Sequence, residues 1–370
     1  MPARIVDYEL WRIQLPAGMT IGDSMCHYDK FSVTVLCLKS DQGHWGWGFG
    51  EKVTDGVFTK PAPWHTPMAT LAEIRQTFST QYWPVIRGHN AFELKNRSPS
   101  RFGTITYLHI AIREALWDLM GKELELPLYR LLGGTTERDR VRAYGSGLSF
   151  ALNQEQAVAR YVGFVQRGMM AVKVKVGHED PQWDVQRLRA VQEAVGPDVE
   201  IAIDANIAWT AEQTIDRVRL YRDAGIDLAY VEDPLPLHDT EGFKMLADHL
   251  DLDVVGHEYT TNPHDLRKLL EINALDRLRF HTDIDNAVAV NQLAEEFDLT
   301  ITGCNTLFEV GIHAAAAMPR VERIEFADLA WNELPEDPVK IEDGYMIAPS
   351  RPGHGFDPKR DMLEALSHSG

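Results

Sequence analysis

A chain of 370 residues has room for about two domains of roughly 150 residues, or for one barrel-sized domain with an appendage, which excludes a miniature scaffold. With 44% hydrophobic and 25% charged residues, 27 Gly and 19 Pro, the composition excludes disordered and collagen-like chains and calls for a packed core. The 37 Lys+Arg against 55 Asp+Glu give a formal charge of −18 with no long basic run to offset it, which argues against a nucleic-acid partner.

The N-terminal stretch MPARIVDYELWRIQL alternates charge and apolarity and carries no signal-peptide pattern. No segment approaches the roughly 20 apolar residues of a membrane span, so no membrane partner is expected. FSVTVLCLKS alternates at period two, and HWGWGFGE reads as a turn leading into a second strand. From Thr104 onward, YLHIAIREALWDLMGKEL places Leu108, Ala111, Ile112, Ala115, Leu116 and Leu119 at helical intervals. Cys26, Cys37 and Cys304 show no CxxC spacing and too few thiols for a disulfide framework, which points to a reducing cytoplasm.

After LLGG at 131–134 the pattern becomes an alternation. Val- and Ile-rich runs (VRAYGSG, AVKVKVG, VEIAIDAN, LAYVEDPL, LDVVGHEY, DRLRFHTDI, LTITGCN and VERIEF) alternate with helical patterns near 155–167, 184–195, 211–224, 240–249, 264–272, 286–297 and 309–317. Such an alternation predicts right-handed βαβ crossovers and a parallel sheet, which eight units close into an α/β barrel; a doubly wound open sheet is the alternative. GxGxxG after a strand, GxxxxGK[ST] and GxSxG are all absent from the sequence, which argues against dinucleotide, nucleotide-phosphate and serine-hydrolase chemistry.

In a barrel the chemistry sits at the C-terminal strand ends. Here VEIAI ends in Asp204 and Asn206, LAYV in Glu232 and Asp233, and LDVVGH in Glu258. Asp204, Glu232 and Glu258 are 28 and 26 residues apart, each about one βα unit, so they should converge on one rim. Carboxylates so placed repel unless a cation neutralises them, and oxygen-only ligands favour Mg²⁺, with Mn²⁺ as an alternative. The plainer reading is that each acid caps a following helix. In the preceding strand, Lys173-Val-Lys175 puts two ammonium groups on one face. Each should depress the other's pKa, so that one can act as a general base.

These residues resemble the mandelate racemase subgroup of the enolase superfamily, including its acid-sugar dehydratases. The resemblance covers nearly the whole chain: ALWDLMGKELELPLYRLLGG, KVKVG, IDAN, VEDPL and GHEY follow one another in the family's order. It implies a modified TIM barrel, (β/α)7β, over residues 131–335, an N-terminal α+β capping domain over 1–130, and a C-terminal segment, 336–370, packing back on the cap. It also implies one Mg²⁺ held by Asp204, Glu232 and Glu258, with Lys175 as base and Lys173 beside it. The family abstracts a proton α to a carboxylate, and the metal stabilises the resulting enediolate.

Family members with a second base draw an Asp–His pair from the sixth and seventh strand ends, the sixth followed by Gly-Gly. This chain has no Gly-Gly there, and Asn305 stands where the histidine would be. His281 falls near the aspartate position, or Asp283 if the register slips, and His281 is the candidate acid for a leaving hydroxyl. His313, eight residues beyond Asn305, reads as structural. Glu325, ending VERIEF, matches the family's electrophilic acid. The loops GDSMCHYDK and GEKVTDGVFTKP fall at the family's specificity loops, making His27, Tyr28, Lys30 and Asn206 candidate substrate contacts. HEYT at 257–260 is similar to rhamnonate-type dehydratases.

The expected activity is therefore a Mg²⁺-dependent dehydration of an aldonate or aldarate to a 2-keto-3-deoxy acid, in a cytoplasmic protein that forms a homo-oligomer by analogy with the family. A one-base isomerase, racemase or lactone cycloisomerase is the enzymatic alternative, and a non-catalytic binding barrel is the other. The intact lysines and carboxylates argue against the last, because folding alone does not require a costly cluster of buried charge.

Overall fold

The computed structural model describes residues 2–53, 57–58, 70–95, 106–256, 262–280, 283–304 and 309–367. The chain begins with an antiparallel meander of β1 (Ile5–Gly22), β2 (Cys26–Ser40) and β3 (Trp45–Val53), with β4 (Val57–Phe58) pairing with β2. The register sets Leu15 opposite Phe31 and Ile13 opposite Val33, and these four side chains are buried. The reversal between β2 and β3 falls at residues 41–43, where Ser40 N donates to His44 O at 2.9 Å. HWGWGFGE thus lies mostly within β3, and its glycines serve close packing instead of a turn. A Cβ on Gly48 would come within 1.8 Å of Ala111 O.

Three short helices follow, α1 (Leu71–Thr77), α2 (Trp83–Ile86) and α3 (Ala91–Lys95), and then α4 (Thr106–Glu123). The stripe from Leu108 to Leu119 in α4 is buried as its spacing predicts. The same helix reaches the barrel: Arg113 Nε lies 2.5 Å from Asp285 Oδ2, and Trp117 Nε1 donates to Asp285 Oδ1 at 3.2 Å. Asp285 follows the sixth barrel strand, so the cap is anchored beside the site.

After α5 (Leu128–Leu131) come β5 (Arg140–Gly145), α6 (Gln154–Gln166), β6 (Ala171–Lys175), α7 (Pro181–Val195), β7 (Glu200–Asp204) and α8 (Ala211–Asp223). The alternation continues through β8 (Tyr230–Glu232), α9 (Thr240–His249), β9 (Asp253–Gly256), α10 (Pro263–Glu271), β10 (Arg277–Leu278), α11 (Ile284–Glu296), β11 (Thr300–Gly303), α12 (Ile312–Ala317) and β12 (Val321–Phe326). Neighbouring strands are parallel and consecutive, and β12 pairs back onto β5 with Glu325 opposite Tyr144. That pairing closes the barrel and excludes the open sheet. Among the described residues seven helices connect eight strands, and β12 is followed by the short 3-10 turn Ala330–Glu333 instead of an eighth helix.

Side-chain caps start most of these helices, including Asn153, Asp180, Thr210, Asp239, Asn262 and Asp283. Each accepts a backbone N–H that the first helical turn leaves unsatisfied. Asp283 is such a cap, accepting from Asp285 N at 2.8 Å.

The C-terminal segment forms a hairpin, β13 (Lys340–Glu342) and β14 (Tyr345–Ile347), the latter antiparallel to β5. It ends in α13 (Arg360–Ser367), where Arg360 Nη1 lies 3.0 Å from Glu9 Oε2 of the cap. Between them, Gly353 passes so close to α4 that a Cβ on Gly121 would lie 2.7 Å from the Gly353 Cα. His313, buried in α12, accepts from Tyr129 N at 3.2 Å and lies 2.8 Å from His354 O through Nε2. Its role is to join α5, α12 and the C-terminal segment, as a structural histidine would. No helix among the described residues is long and apolar enough to cross a membrane. All three cysteines are buried thiols outside any disulfide.

Candidate active site

Parallel pairing aligns the candidate residues in a row. Lys175 is the register partner of Asp204, and Asp204 is the register partner of Glu232. The βα spacing read from the sequence therefore puts three side chains at the same level on adjacent strand ends. Lys173 lies one pleat deeper on the same face of β6.

The charged groups interlock. Lys175 Nζ stands 2.5 Å from Asp204 Oδ2, and the same oxygen is 3.4 Å from Lys173 Nζ. Lys173 also donates to Glu232 Oε1 and, at 3.2 Å, to Glu325 Oε2. All five residues are buried. Burial and the nearby Arg279 guanidinium oppose the Lys173 charge, but Glu232 and Glu325 outweigh them and hold its pKa well above the ordinary lysine value. For Lys173 this departs from the expected mutual depression, because its ammonium lies among Asp204, Glu232 and Glu325. Burial pushes the Glu232 carboxyl up, and Arg279 and Lys173 on either side pull it back.

Arg279, just beyond β10, was missed by the sequence reading, which weighed His281 and Asp283 at this strand end. It is fully buried. Its Nη1 lies 3.0 Å from Glu232 Oε2 and its Nη2 2.8 Å from Glu325 Oε2, while Nη1 also donates to the Tyr144 hydroxyl at 2.7 Å. Burial raises the Tyr144 phenol well above its usual value, leaving it a neutral hydroxyl. A signal for Arg279 existed: it is a charged residue within the apolar-flanked run DRLRFHTDI, and a charge in such a run needs a buried partner.

Asp204 Oδ2 and Glu232 Oε1 both converge on one ammonium, Lys173 Nζ. Two hard oxygens sharing one cation position suit a divalent ion such as Mg²⁺. Among the described residues no group of three or more His, Cys, Asp or Glu stands ready to hold a metal; Glu258 lies outside the described residues, as do His281 and Asn305. Asn206 is buried with its backbone in the left-handed region, and its N–H donates to Asp204 Oδ1 at 3.0 Å. It fixes the orientation of that carboxylate.

The segment GDSMCHYDK is divided in the structure. Gly22 N donates to Leu148 O at 2.7 Å and Phe150 N to Gly22 O at 3.0 Å, while Ser24 Oγ donates to Ala205 O at 2.8 Å. The turn at 22–25 thus runs from the end of β5 to the end of β7, over the end of β6. His27 lies at its edge, its ring 6.0 Å from that of Phe150. Tyr28 is turned into the cap core against Phe31, with ring centroids 5.2 Å apart, and Lys30 is half-buried opposite Pro16 in the ladder. The structure brings together Lys173, Lys175, Asp204, Asn206, Glu232 and Glu325, with Tyr28 and Lys30 farther along β2.

Residues 155–362, more than half of the chain, match the family of enolase C-terminal domain-like proteins. The chain belongs to the enolase superfamily. A mandelate racemase-like protein from Mesorhizobium loti superposes with a TM-score of 0.88 at 33% identity, over 98% of this chain and 94% of that one. The L-talarate dehydratase of Polaromonas sp. JS666, crystallised with Mg and L-glucarate, gives 0.81 at 25% identity, over 99% and 97%. In sequence, the chain is 27% identical to the arabinonate dehydratase of Saccharolobus solfataricus over 68% of this chain and 69% of the relative. It is equally, at 27%, similar to the 3,6-anhydro-alpha-L-galactonate cycloisomerase of Streptomyces coelicolor over 94% of both chains. Superfamily relatives thus include dehydratases, epimerases, cycloisomerases and racemases, and enzyme activity of this general kind is established for the family at large.

Proposed function

We propose that the protein is a Mg²⁺-dependent acid-sugar dehydratase. The observation that carries this reading is the Lys175, Asp204 and Glu232 row, which sets a basic side chain next to two oxygens suited to one hard cation. Dehydratases among the relatives, including one crystallised with Mg and an acid sugar, support it.

In this reading Asp204, Glu232 and Glu258 hold the cation. When bound, it supplies fixed positive charge for the negative charge that grows on the substrate carboxylate as the weakly acidic α-proton leaves. Lys175 Nζ takes that proton. The electron pair of the broken C–H bond forms a C=C bond, and the β C–O bond breaks, its oxygen leaving as water with a proton from the site. The enol so formed tautomerises to a 2-keto-3-deoxy acid. Lys173 and Arg279 fix Glu325 and Glu232, and Tyr144 supports Arg279 from below. His281 is the proposed donor of the departing proton.

A cycloisomerase or one-base isomerase is the second reading, favoured by the cycloisomerase that aligns over 94% of both chains. A screen of aldonates and aldarates with Mg²⁺, assayed for a new ketone, decides between them. A 2-keto-3-deoxy product absent in Lys175→Ala supports dehydration. An isomerised or cyclised product without any ketone overturns it.

A further inference from the structure

Helix α7 carries a buried carboxylate that belongs neither to the row at the strand ends nor to the cap seam. Asp184 stands in the first turn of α7 and is 1% exposed. Its Oδ2 accepts from Gly177 N at 3.1 Å and from His178 N at 3.2 Å. The Tyr221 hydroxyl of α8 donates to the same oxygen at 3.0 Å, and Arg217 Nη1 lies 4.0 Å from it. Burial raises the pKa of this carboxyl to about 6, against the pull of these four groups, so at neutral pH the oxygen is an ionised acceptor. Hydrogen bonds to a charged acceptor are stronger than those to a neutral one.

Gly177 and His178 follow directly on the strand end that carries Lys175. Between them and Lys175, Val176 N donates to Asp204 O at 3.0 Å. The backbone leaving β6 is thus held by β7 through Val176 and by α7 through Asp184. Gly177 takes φ +114°, and a Cβ there would lie 2.9 Å from Ser24 Cβ and 3.1 Å from Ala208 Cβ, so the turn has little room to shift. Arg217 Nη2 donates to Glu179 O at 3.2 Å and fixes the far end of the same turn from α8. Lys175 itself reaches Asp204 on a flexible four-carbon stem, so the place of its ammonium depends on the course of the backbone that carries it.

We propose that Asp184 is a positioning residue for Lys175: by gathering the N–H groups of Gly177 and His178 on one oxygen, it sets the backbone course out of β6 and with it the place of the Lys175 ammonium beside Asp204. This rests on the reading of Lys175 as the proton-abstracting base. Misplacing a reacting group by about 1 Å through a change remote from the chemistry costs about a hundredfold in rate. Asp184 lies behind the strand end and outside the proposed metal set, so the loss should fall on kcat and spare substrate binding.

Two measurements on the full chain test this. The first needs no substrate: cyanate carbamylates lysine amines, and peptide mass spectrometry reads its rate at buried Lys175 against that at exposed Lys268. Asp184→Asn keeps the size of the side chain and removes the charge. It should raise the Lys175 rate by about tenfold or more, because the local opening that exposes the amine becomes easier, and leave Lys268 unaltered. The second is α-proton exchange with solvent deuterium in the Mg²⁺-loaded protein, over the panel of aldonates and aldarates. Here Asp184→Asn should lower kcat by about a hundredfold with KM within about threefold, and should cost nothing further in Lys175→Ala. Asp184→Ser, which keeps an acceptor oxygen without the charge, is the second variant should Asp184→Asn fail to fold, and should show the same split. An unchanged Lys175 rate, an unchanged kcat, or a loss that adds in full to that of Lys175→Ala overturns the assignment. Exchange of no acid sugar by the unaltered protein sinks the acid-sugar reading, and the cyanate rates then decide on Asp184 alone.

Discussion

Arg279 reaches Glu232 across the barrel interior, Nη1 to Oε2 at 3.0 Å, with both side chains fully buried. This contact means that Glu232 is braced from below by a guanidinium while Lys173 holds it from the side. Removing one partner of such a pair leaves the other charged group buried without compensation, at a cost of about 3–5 kcal/mol. Arg279→Met should therefore lower stability by about that amount in urea unfolding. It should also weaken Mg²⁺ binding, because Glu232 and Glu325 lose their fixed geometry. An unaltered urea midpoint would show that the guanidinium is not a support.

In the proposed site Lys175 and the cation would share Asp204. Lys175→Ala removes the ammonium 2.5 Å from Asp204 Oδ2 and should leave Mg²⁺ affinity equal or higher by calorimetry. It should also lower α-proton exchange with solvent deuterium, followed by NMR, by about a thousandfold or more. Loss of metal binding in this variant would place Lys175 among the groups that hold the ion.

Metal binding should register as stability. A ligand at one hundred times its Kd stabilises by about 2.7 kcal/mol, so Mg²⁺ should raise the melting temperature of the unaltered protein. EDTA should reverse the rise, and Asp204→Asn should abolish it. An equal rise in Asp204→Asn would move the site elsewhere.

His313 gives the acid limb of stability a definite sign. Burial lowers its pKa from 6.5 to about 3, so between these values the unfolded chain binds a proton that the folded chain refuses. Its contribution is complete above 6.5 and is lost as pH falls toward 3, at up to about 1.4 kcal/mol per pH unit. His313→Gln should flatten the pH dependence of the urea midpoint in this window, while lowering stability at neutral pH by about 1–3 kcal/mol through its disturbed contacts with Tyr129 and His354. A slope unchanged by the substitution would assign the acid limb to other groups.

The cap seam is sterically exacting. Gly48→Ala places a Cβ 1.8 Å from Ala111 O, so β3 and α4 must separate, and overpacking of this kind costs about 1–3 kcal/mol. Thermal melting should show the loss, while Gly163→Ala, with nothing within 4 Å of its Cβ, serves as the tolerated control.

Residues whose role depends on their own strand were legible in the sequence. Lys173 and Lys175 share a face because strands alternate, and Asp204 and Glu232 align because one βα unit separates them. The stripe of α4 announced its buried face in the same way. The glycines of HWGWGFGE were harder, since a close helix and a turn both call for glycine, and only the helix packed against β3 distinguishes the two. Tyr28 looked like a polar loop residue until β2 turned it into the cap core.

By itself the sequence determined the order of elements, the strand ends that bear carboxylates and the face of β6 that bears the lysines, because periodicity and spacing are local properties of a chain. Only the tertiary structure decided that β12 closes onto β5, that Arg279 and Tyr144 stand beneath Glu232 and Glu325, and that the turn at 22–25 arrives over the end of β6 from a part of the chain some 150 residues earlier. Those relationships depend on burial and charge pairing between segments distant in sequence, and no local pattern encodes a partner that the fold has yet to supply.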